Sequence, residues 1–397
     1  MKKQRFRILI IAVLLLFAVT GADAARTYYV NGSAETLSGV LSEAYAIGAD
    51  GTAQLGSDEV YALTANGTVA LSSAGTAGAS SGGGGLLYED GRVSIPTDTL
   101  RVGLRYYYSE ERDSSMTAAN LENAVGCGYA FGYLEDGTFV QFDDEDAQTD
   151  ETQITMRPFG DTGIGVYITG TDTLLYSVER TGVDGYFAVH PLCDGEESVT
   201  WFSGRRYYGD FAYADLGNGR ITVVNVVETE RYVAGVCAGE MGGAFPTEAL
   251  KAQAIAARTY AMFTVRAESY AAVCGFDLTN DDYCQVYLGY TDAESILSVV
   301  AATENLYLTC DGALIDALFF AADGGSTLNS EDVFRDALPY LRGVEDPYES
   351  SAWTQGAYGH RVGMSQWGAY AMAKYYDMDY RDILGFYYTG VGLSYGE

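Results

Sequence analysis

Residues 231–263 read RYVAGVCAGEMGGAFPTEALKAQAIAARTYAMF, a glycine-rich segment followed by an alanine-rich one. The alanine-rich part predicts a long helix from Pro246 to about Ala267, because proline is tolerated at a first helical turn, where its missing N–H costs nothing. We interpret the glycine-rich part as a loop. Glu240 lies between the two, with Lys251 and Arg258 on one face of the helix that follows. A carboxylate in this position is the chain's best candidate for acid–base chemistry.

The segments around this stretch mix helices and strands without a strict strand–helix–strand rhythm. Upstream, Tyr207–Tyr213 and Arg220–Glu228 are rich in β-branched and aromatic residues and predict a hairpin. Downstream, the patterns predict strands over Tyr283–Tyr287, Leu306–Thr309 and Ala313–Phe320, and helices over Ala293–Thr303, Ser365–Lys374 and Tyr380–Tyr388. We therefore expect an α+β fold, with a mixed α/β domain over residues 201–397.

A β-rich region precedes this domain. Thr99–Tyr108 has the partial alternation of a strand, and Tyr129–Tyr133 with Gly137–Phe142 predicts a hairpin that closes at Glu135–Gly137. We expect a β-rich accessory module over residues 93–200. Residues 26–92 form a low-complexity region that contains the linker SSAGTAGASSGGGG, which can neither bury apolar area nor hold one conformation.

The first 25 residues resemble a secretory signal peptide. Four cations precede the apolar run Ile8–Val19, and Ala22–Ala24 supplies a small-residue cleavage site. The run is short for a membrane span, which needs about 20 residues. We expect a secreted, extracytoplasmic protein. It contacts a membrane only if residues 1–25 stay uncleaved as an anchor.

Charge and cysteine content narrow the possible partners. The net charge of −31 repels nucleic acid, polyanionic polymers and anionic lipid heads, so a weakly charged or mixed-charge partner is easier to accommodate. The six cysteines of an exported chain permit disulfides, but the sequence cannot choose among the pairings, and none of them forms a Cys-x-x-Cys pair. Buried free thiols and disulfides both remain open.

Six motifs follow one another between Tyr207 and Leu393. They read VVNVVETERYVAGVCAGEM, FPTEALKAQAIAARTYA, CQVYLG, FFAADGGSTLNSEDVF, PYLRGVEDP and GHRVGMSQWGAYAMA. In this order they resemble the motifs of the SpoIID/LytB family, the sporulation stage II protein D and amidase-enhancer group. Residues 201–397 thus look like the catalytic domain of that family.

The resemblance implies a peptidoglycan lytic transglycosylase. Such an enzyme cuts the β-1,4 bond between N-acetylmuramic acid and N-acetylglucosamine and leaves a 1,6-anhydro end. Sporulation members of the family prefer glycan stripped of stem peptides and work beside an amidase. We therefore expect peptidoglycan glycan strands as the main partner, a cell-wall amidase as a candidate second partner, and no cofactor. The alternative is a non-catalytic peptidoglycan-binding protein that stimulates an amidase.

Glu240 corresponds to the catalytic glutamate of the family's Glu-Met-Pro motif. A transglycosylase needs only one carboxyl group, because the sugar's own C6 hydroxyl attacks the anomeric carbon. That carboxyl must have a pKa raised toward neutrality, and the apolar neighbours Val236, Met241 and Phe245 favour such a shift. The alternative role for Glu240 is to stabilise the start of the following helix. A third reading is a hydrolase with a second carboxylate, for which the candidates are Glu228, Glu230 and Asp323.

Seven further residues are predicted to bind substrate: Lys251, Arg258, Gln285, Ser326, Thr327, His360 and Gln366. For Lys251 the alternative is a surface pair with Glu248. Ser326 and Thr327 lie in a glycine-rich run that a tight turn also explains. Ser365 is expected to cap a helix rather than to act as a nucleophile, since its neighbourhood lacks the Gly-x-Ser-x-Gly pattern.

The sequence departs from the family pattern in four places. Thr279 and Tyr283 stand where some relatives have zinc ligands, so we expect no metal, and Cys274 and Cys284 become candidates for a local disulfide. Gly242 replaces the usual proline after Met241, which is expected to loosen the catalytic loop. Arg361 replaces a glycine and is expected to place a cation beside the groove. The interval 344–359 is shorter than in many relatives. If their longer insertion forms part of the cleft wall, this predicts an open groove, a different substrate length or reduced activity.

Overall fold

The computed structural model describes residues 88–397, except for 124–126, 180–185, 194–198, 269 and 271–273, together with four strands between residues 46 and 71. The predicted signal peptide, residues 1–25, and the Gly/Ser-rich linker lie outside the described residues. The four strands between residues 46 and 71 form one antiparallel sheet, in a region to which the sequence assigned no elements.

Strands dominate the first half of the chain and recur between the helices of the second half. In chain order they are β1 (Ala46–Ile47), β2 (Thr52–Leu55), β3 (Glu59–Thr64), β4 (Gly67–Leu71), β5 (Tyr88–Val93), β6 (Thr99–Arg105), β7 (Tyr107–Ser109), β8 (Arg112–Asp113), β9 (Ala119–Asn123), β10 (Tyr129–Glu135), β11 (Thr138–Gln141), β12 (Gln148–Thr149), β13 (Gln153–Phe159), β14 (Gly163–Ile168), β15 (Leu174–Val178), β16 (Phe187–Pro191), β17 (Val199–Phe202), β18 (Arg205–Tyr208), β19 (Asp210–Asp215), β20 (Ile221–Glu228), β21 (Leu278–Thr279), β22 (Leu306–Cys310), β23 (Ala313–Leu314), β24 (Phe319–Phe320), β25 (Met364–Ser365) and β26 (Gly392–Gly396).

Two sheets carry most of these strands. The 8-stranded sheet has the order β11-β10-β16-β19-β20-β6-β21, with β12 paired to β10. The 6-stranded sheet has the order β15-β14-β13-β9-β17-β18. Two predicted hairpins are confirmed, because β10 pairs with β11 and β19 pairs with β20, both antiparallel.

Both large sheets cross the predicted module boundary between residues 200 and 201. That boundary falls inside β17, whose partner β9 lies upstream. In the 8-stranded sheet, β16 pairs with β19, and β6 pairs with β20. A smaller sheet joins β5 to β26 in parallel. The two predicted modules therefore share sheets, and their division into separate domains stays a prediction.

The helices are concentrated in the second half of the chain. They are α1 (Thr229–Glu240), α2 (Thr247–Arg266), α3 (Glu294–Ala302), α4 (Ser330–Val333), α5 (Gln366–Tyr375) and α6 (Tyr380–Tyr387), with one 3-10 turn over Glu349–Ser351. The predicted positions of α2, α3, α5 and α6 are confirmed. Helices and strands occur in separate runs as well as in alternation, which confirms the expected α+β class.

Two local predictions are wrong. The glycine-rich run before Glu240 is not a loop but helix α1. The run Tyr283–Tyr287 forms no strand, because two backbone N–H groups next to each other in the chain bind other partners: Val286 N donates to Glu240, and Tyr287 N donates to Asn280 O. The predicted strand over Ala313–Phe320 is present only as the short β23 and β24.

Helix α2 lies at the centre of the helical part. Its many alanines bury small side chains, which lets other elements approach its axis closely, and α1, α3, α5, α6 and β22 all pack against it. Leu250, Ile255 and Met262 are almost completely buried on this helix. The alanine pattern that predicted α2 is therefore the pattern of a buried helix rather than of an amphipathic one.

One disulfide joins Cys127 to Cys193, with the two Cα atoms 5.5 Å apart. Cys274 and Cys284 are both free, so the local disulfide considered for them is wrong. The Cys284 thiol has another neighbour, because its Sγ accepts a hydrogen bond from Thr279 N at 3.4 Å.

Among the described residues, no helix combines the length and the apolarity needed to cross a membrane.

Candidate active site

Glu240 is the last residue of α1, and the geometry of the helix end fixes its position. Met241 N and Gly242 N both donate to Cys237 O, which closes the helix. Gly242 has a φ of 73°, in the left-handed region that glycine adopts without strain and proline cannot reach. The departure from the family's proline therefore gives a hydrogen-bonded helix end, in contrast to the loosened loop that the sequence suggested.

A close approach of two backbones supplies the first partner of Glu240. A Cβ added at Gly239 would lie 2.3 Å from Val286 O, so only glycine leaves room for the segment that contains Val286. Leu288 N donates to Gly235 O at 3.3 Å and holds the same segment against α1. The glycines that suggested a loop thus serve helix packing.

Glu240 joins three motifs that are far apart in the sequence. Its Oε1 accepts a hydrogen bond from Val286 N at 2.8 Å, and its Oε2 accepts one from Gln366 Nε2 at 3.1 Å. Gln366 Nε2 also lies 3.5 Å from Gln253 Oε1 on α2. Two predicted site residues, Glu240 and Gln366, are therefore in direct contact.

Burial raises the pKa of Glu240 above its ordinary value of 4.5. The hydrogen bonds from Val286 N and Gln366 act in the opposite direction, because they stabilise the carboxylate, and the nearby negative charge of Asp282 adds to the increase. The side chain is partly buried rather than directed into bulk solvent. Its environment therefore favours the protonated form that a general acid must have.

Ser365 and Glu349 hold Gln366 in place. Ser365 caps α5 by accepting a hydrogen bond from Gly368 N at 3.1 Å, as its position predicted. The Ser365 hydroxyl donates in turn to Glu349 Oε2 at 2.6 Å. Because Gln366 is the first residue of α5, this cap determines where its amide points.

Glu349 belongs to a cluster of three buried carboxylates with Asp323 and Asp346, whose oxygens lie within 4.8 Å of one another. Glu349 accepts hydrogen bonds from Asp323 N and Gly324 N, and Asp346 accepts one from Tyr387 OH at 2.6 Å. Burial, reinforced by Asp346, raises the pKa of Asp323 to about 8. A proton on Asp323 thus relieves the repulsion within the cluster.

Carboxylate oxygens are ligands for hard cations, and in the described part of the chain only this cluster has the spacing to hold one. Most of its oxygens already accept hydrogen bonds, which is the pattern of a structural cluster. Near the position of the family's zinc ligands, Thr279 Oγ1 donates to Asp281 at 2.8 Å. The ring of Tyr283 lies 3.3 Å from the Arg112 guanidinium carbon, a cation–π contact.

The two cations of α2 that were predicted to bind substrate, Lys251 and Arg258, do not bind Glu240. Lys251 Nζ lies 2.7 Å from Glu248 Oε1, which is the surface pair considered as its alternative. Arg258 is fully buried and makes a two-pronged ion pair with Glu230, at 2.7 and 2.6 Å, and a third bond to Leu306 O. In this conformation Arg258 joins α2 to the start of α1, and its binding of substrate stays a prediction.

The remaining predicted binding residues lie in several places. Gln285 is buried, and its Nε2 donates to Tyr232 OH and Ala257 O. Thr327 Oγ1 accepts a hydrogen bond from Val344 N at 2.9 Å. None of these contacts involves Glu240, so substrate binding by Gln285 and Thr327 stays a prediction.

Ser326 is tied to Arg361, whose Nη2 donates to Ser326 O and Oγ at 2.7 and 3.0 Å. Arg361 has a φ of 65°, so the glycine that relatives have at this position matches the observed backbone. His360 packs between the rings of Phe320 and Phe334, and burial lowers its pKa to about 4. It is therefore a neutral ring at physiological pH.

No candidate second carboxylate is seen to contact Glu240. Glu228 is exposed, Glu230 is paired with Arg258, and Asp323 is buried in its cluster. The carboxylate that does affect the pKa of Glu240 is Asp282, which sequence reasoning missed. Sequence reasoning also missed Val286 N and Glu349. A backbone N–H group can belong to any residue type, and the role of Glu349 depends on its buried contact with Ser365, so neither has a sequence pattern of its own.

A cavity of about 60 Å³ lies away from Glu240, between Arg105, Arg205 and Asn280.

Comparison with known proteins agrees with this arrangement. A family model described as Stage II sporulation protein matches residues 217–310. An uncharacterized protein of Brachyspira hyodysenteriae is 30% identical over 48% of this chain and 73% of its own length. The Stage II sporulation protein D of Bacillus subtilis is 31% identical over 38% of this chain and 50% of its own length. The amidase enhancer of the same species is 32% identical over 30% of this chain and 16% of its own length.

The chain is thus an α+β protein similar to the Stage II sporulation proteins, and in it separated motifs meet at one glutamate. The chain belongs to the SpoIID/LytB family. It spans half of the sporulation protein that it matches and a smaller part of the amidase enhancer.

Proposed function

We propose that this protein is an exported peptidoglycan lytic transglycosylase with Glu240 as its single acid and base. The observation that carries the proposal is the convergence of Val286 N and Gln366 on the Glu240 carboxyl group. The substrate is a glycan strand, which is cleaved best after its stem peptides are removed, in sporulation or in cell-wall remodelling.

The reaction uses one carboxyl group twice. Protonated Glu240 gives its proton to the bridging oxygen as the bond from the muramic C1 breaks, which releases the O4 hydroxyl of N-acetylglucosamine. The C6 hydroxyl of the same muramic residue attacks C1 and transfers its proton to the Glu240 carboxylate. The 1,6-anhydro ring forms without water, and the carboxyl group returns to its starting state.

The surroundings of Glu240 suit both halves of this cycle. Burial raises the pKa, so that the acid form is available, whereas the two hydrogen bonds stabilise the carboxylate after the proton has left. Gln366 and Val286 N also fix the direction of the carboxyl group, which restricts the positions that a sugar oxygen can take. A glutamate that only stabilised the start of the following helix would not need hydrogen bonds from Val286 N and Gln366.

The test is to digest purified, peptide-stripped glycan and to look for anhydro-muramoyl ends by mass spectrometry. The wild-type protein is expected to produce them, and Glu240→Gln is expected to abolish the product while leaving glycan binding largely intact. Glu228→Gln is the matched control, because this exposed glutamate lies at the other end of α1. Reducing ends in place of anhydro ends would instead indicate a hydrolase.

A second candidate function is a glycan-binding protein that stimulates a cell-wall amidase. It is favoured by the similarity to a protein named amidase enhancer, and by the fact that both oxygens of Glu240 already accept hydrogen bonds. In that case the wild-type protein gives no anhydro ends, and Glu240→Gln still increases amidase activity on intact peptidoglycan.

A further inference from the structure

A group of partly exposed aromatic rings lies beside Glu240 and is not explained by the reaction itself. It consists of Phe245, Trp353, Trp367 and Tyr370, which we call the aromatic platform. The two tryptophan rings stack with their centroids 5.2 Å apart and an interplanar angle of 23°. Phe245 contacts both Trp367 and Tyr370, at 5.3 and 5.2 Å. The rings thus form one continuous surface.

The platform is attached to the site by two covalent connections. Trp367 directly follows Gln366, whose amide binds Glu240. Phe245 belongs to the short turn between Glu240 and α2. One ring is further fixed, because Trp353 Nε1 donates to Gly356 O at 2.7 Å. The platform therefore has a defined orientation next to the carboxyl group.

The segments that build the platform carry no charged residue. Residues 241–247, 352–359 and 362–373 contain no Asp, Glu, Lys or Arg, in a chain with 54 acidic and 23 basic residues. A surface that receives an anionic or cationic partner would present opposite charges. The composition instead fits a neutral ligand that offers both apolar C–H groups and hydroxyls.

A sugar ring has this chemistry. One face of a pyranose presents C–H groups with partial positive charge, which meet the negative face of an indole ring, while its hydroxyls stay at the edge. The core aromatics of this chain, such as Phe211 and Tyr287, are almost completely buried, whereas the platform rings keep an exposed part. Packing alone does not explain why these rings remain accessible.

We propose that the aromatic platform is a binding subsite that stacks an uncharged N-acetylglucosamine ring of the glycan strand beside the bond that Glu240 cleaves. This inference rests on the proposed function, because the glycan is the substrate named there. Trp353 supplies the stacking face, and Trp367 supports its ring from behind. Phe245 and Tyr370 in turn contact the ring of Trp367.

Binding is measured by co-sedimentation with insoluble peptide-stripped glycan, in the Glu240→Gln background, so that no cleavage occurs. Trp353→Ala is expected to weaken binding roughly tenfold, since a good aromatic contact contributes about 1.4 kcal/mol. Trp353→Phe keeps a stacking face and is expected to restore most of the affinity. Trp201→Ala is the matched control, because Trp201 is 39% exposed on β17, in the 6-stranded sheet.

A second measurement leaves the platform intact. The chain has three tryptophans, so Trp201→Phe limits the emission to Trp353 and Trp367. Soluble peptide-free oligomers of N-acetylglucosamine and N-acetylmuramic acid are expected to shift this emission and to protect it from quenching by acrylamide. An unchanged emission at saturating oligomer would overturn the proposal even if Trp353→Ala failed to fold.

The platform and the proposed function fail in different ways. Suppose that the wild-type protein releases anhydro ends and that Trp353→Ala changes neither glycan binding in the Glu240→Gln background nor KM in the background with Glu240 intact. The proposed subsite is then wrong, and the proposed transglycosylase activity is retained. If no anhydro ends form but Trp353→Ala still loses binding, the platform stands and the transglycosylase activity is wrong.

Discussion

At the scale of single residues, the ionisation of Glu240 reflects a balance between burial and hydrogen bonding. Gln366→Met removes one N–H donor while keeping similar bulk, so the carboxylate loses a stabilising partner. We expect the pKa of Glu240 to rise further, and the alkaline limb of the activity profile to move to higher pH. The measurement is a carbon NMR titration of labelled glutamate side chains, with Glu240→Gln to assign the signal. A pKa that falls or stays constant would contradict this role of Gln366.

Asp323 gives a residue-scale prediction about stability. Its folded pKa of about 8 is above the ordinary value of 3.8, so between these pH values the folded state keeps a proton that the unfolded state releases. The bound proton stabilises the folded state, and this stabilisation is complete below pH 4. It is lost as the pH rises toward 8, because over this range the unfolded state binds fewer protons than the folded state. Asp323→Asn mimics the protonated carboxyl group and does not titrate.

The variant should therefore gain stability relative to the wild type as the pH increases. Thermal melts at several pH values between 4 and 9 test this, and the difference in Tm is expected to be small at pH 4 and largest above pH 8. Titrating groups outside the cluster of Asp323, Asp346 and Glu349, such as His360, are common to both proteins and cancel. A difference that does not depend on pH would mean that Asp323 is ionised in the folded protein.

At the scale of elements, the ion pair between Arg258 and Glu230 connects α2 with α1. Arg258→Met leaves the Glu230 charge without its partner and Leu306 O without its donor, and we expect a loss of about 3 kcal/mol in the free energy of unfolding. Glu230→Gln combined with Arg258→Met should recover part of this loss. Urea denaturation measures both. Unchanged stability together with weaker glycan binding would instead support the substrate role predicted from the sequence.

The sequence predicted elements where one local pattern dominated. The alanine-rich run located α2, and the β-branched pairs located the hairpin of β19 and β20. It failed for α1, because Gly235 and Gly239 have low helix propensity and their benefit comes only from the approach of residues 286–289. That contact is a tertiary one, which no local pattern contains.

The contacts of the candidate site are also tertiary, so no local sequence pattern predicted them. Glu240 and Gln366 could be named from their motifs, but the contact between them spans 126 positions and depends on the cap formed by Ser365. For Arg258 the sequence predicted a substrate-binding role, and it did not reveal the partner Glu230. The helical spacing predicted which face of α2 carries Arg258. The position of Glu230 beside it depends on how α1 packs against α2.

At the scale of the whole molecule, the sheets that join the two halves predict how the chain can be divided. A fragment of residues 201–397 lacks β6, the partner of β20, and β5, the partner of β26. It would expose the long β20, which is buried along all but its last residue, as a sheet edge, which favours aggregation. A fragment of residues 88–397 keeps both partners. We expect the longer fragment to unfold in one cooperative thermal transition, followed by circular dichroism, and the shorter one to show none. A cooperative transition in residues 201–397 would instead establish the independent domain that the sequence predicted, with the shared strands adding stability rather than completing the fold.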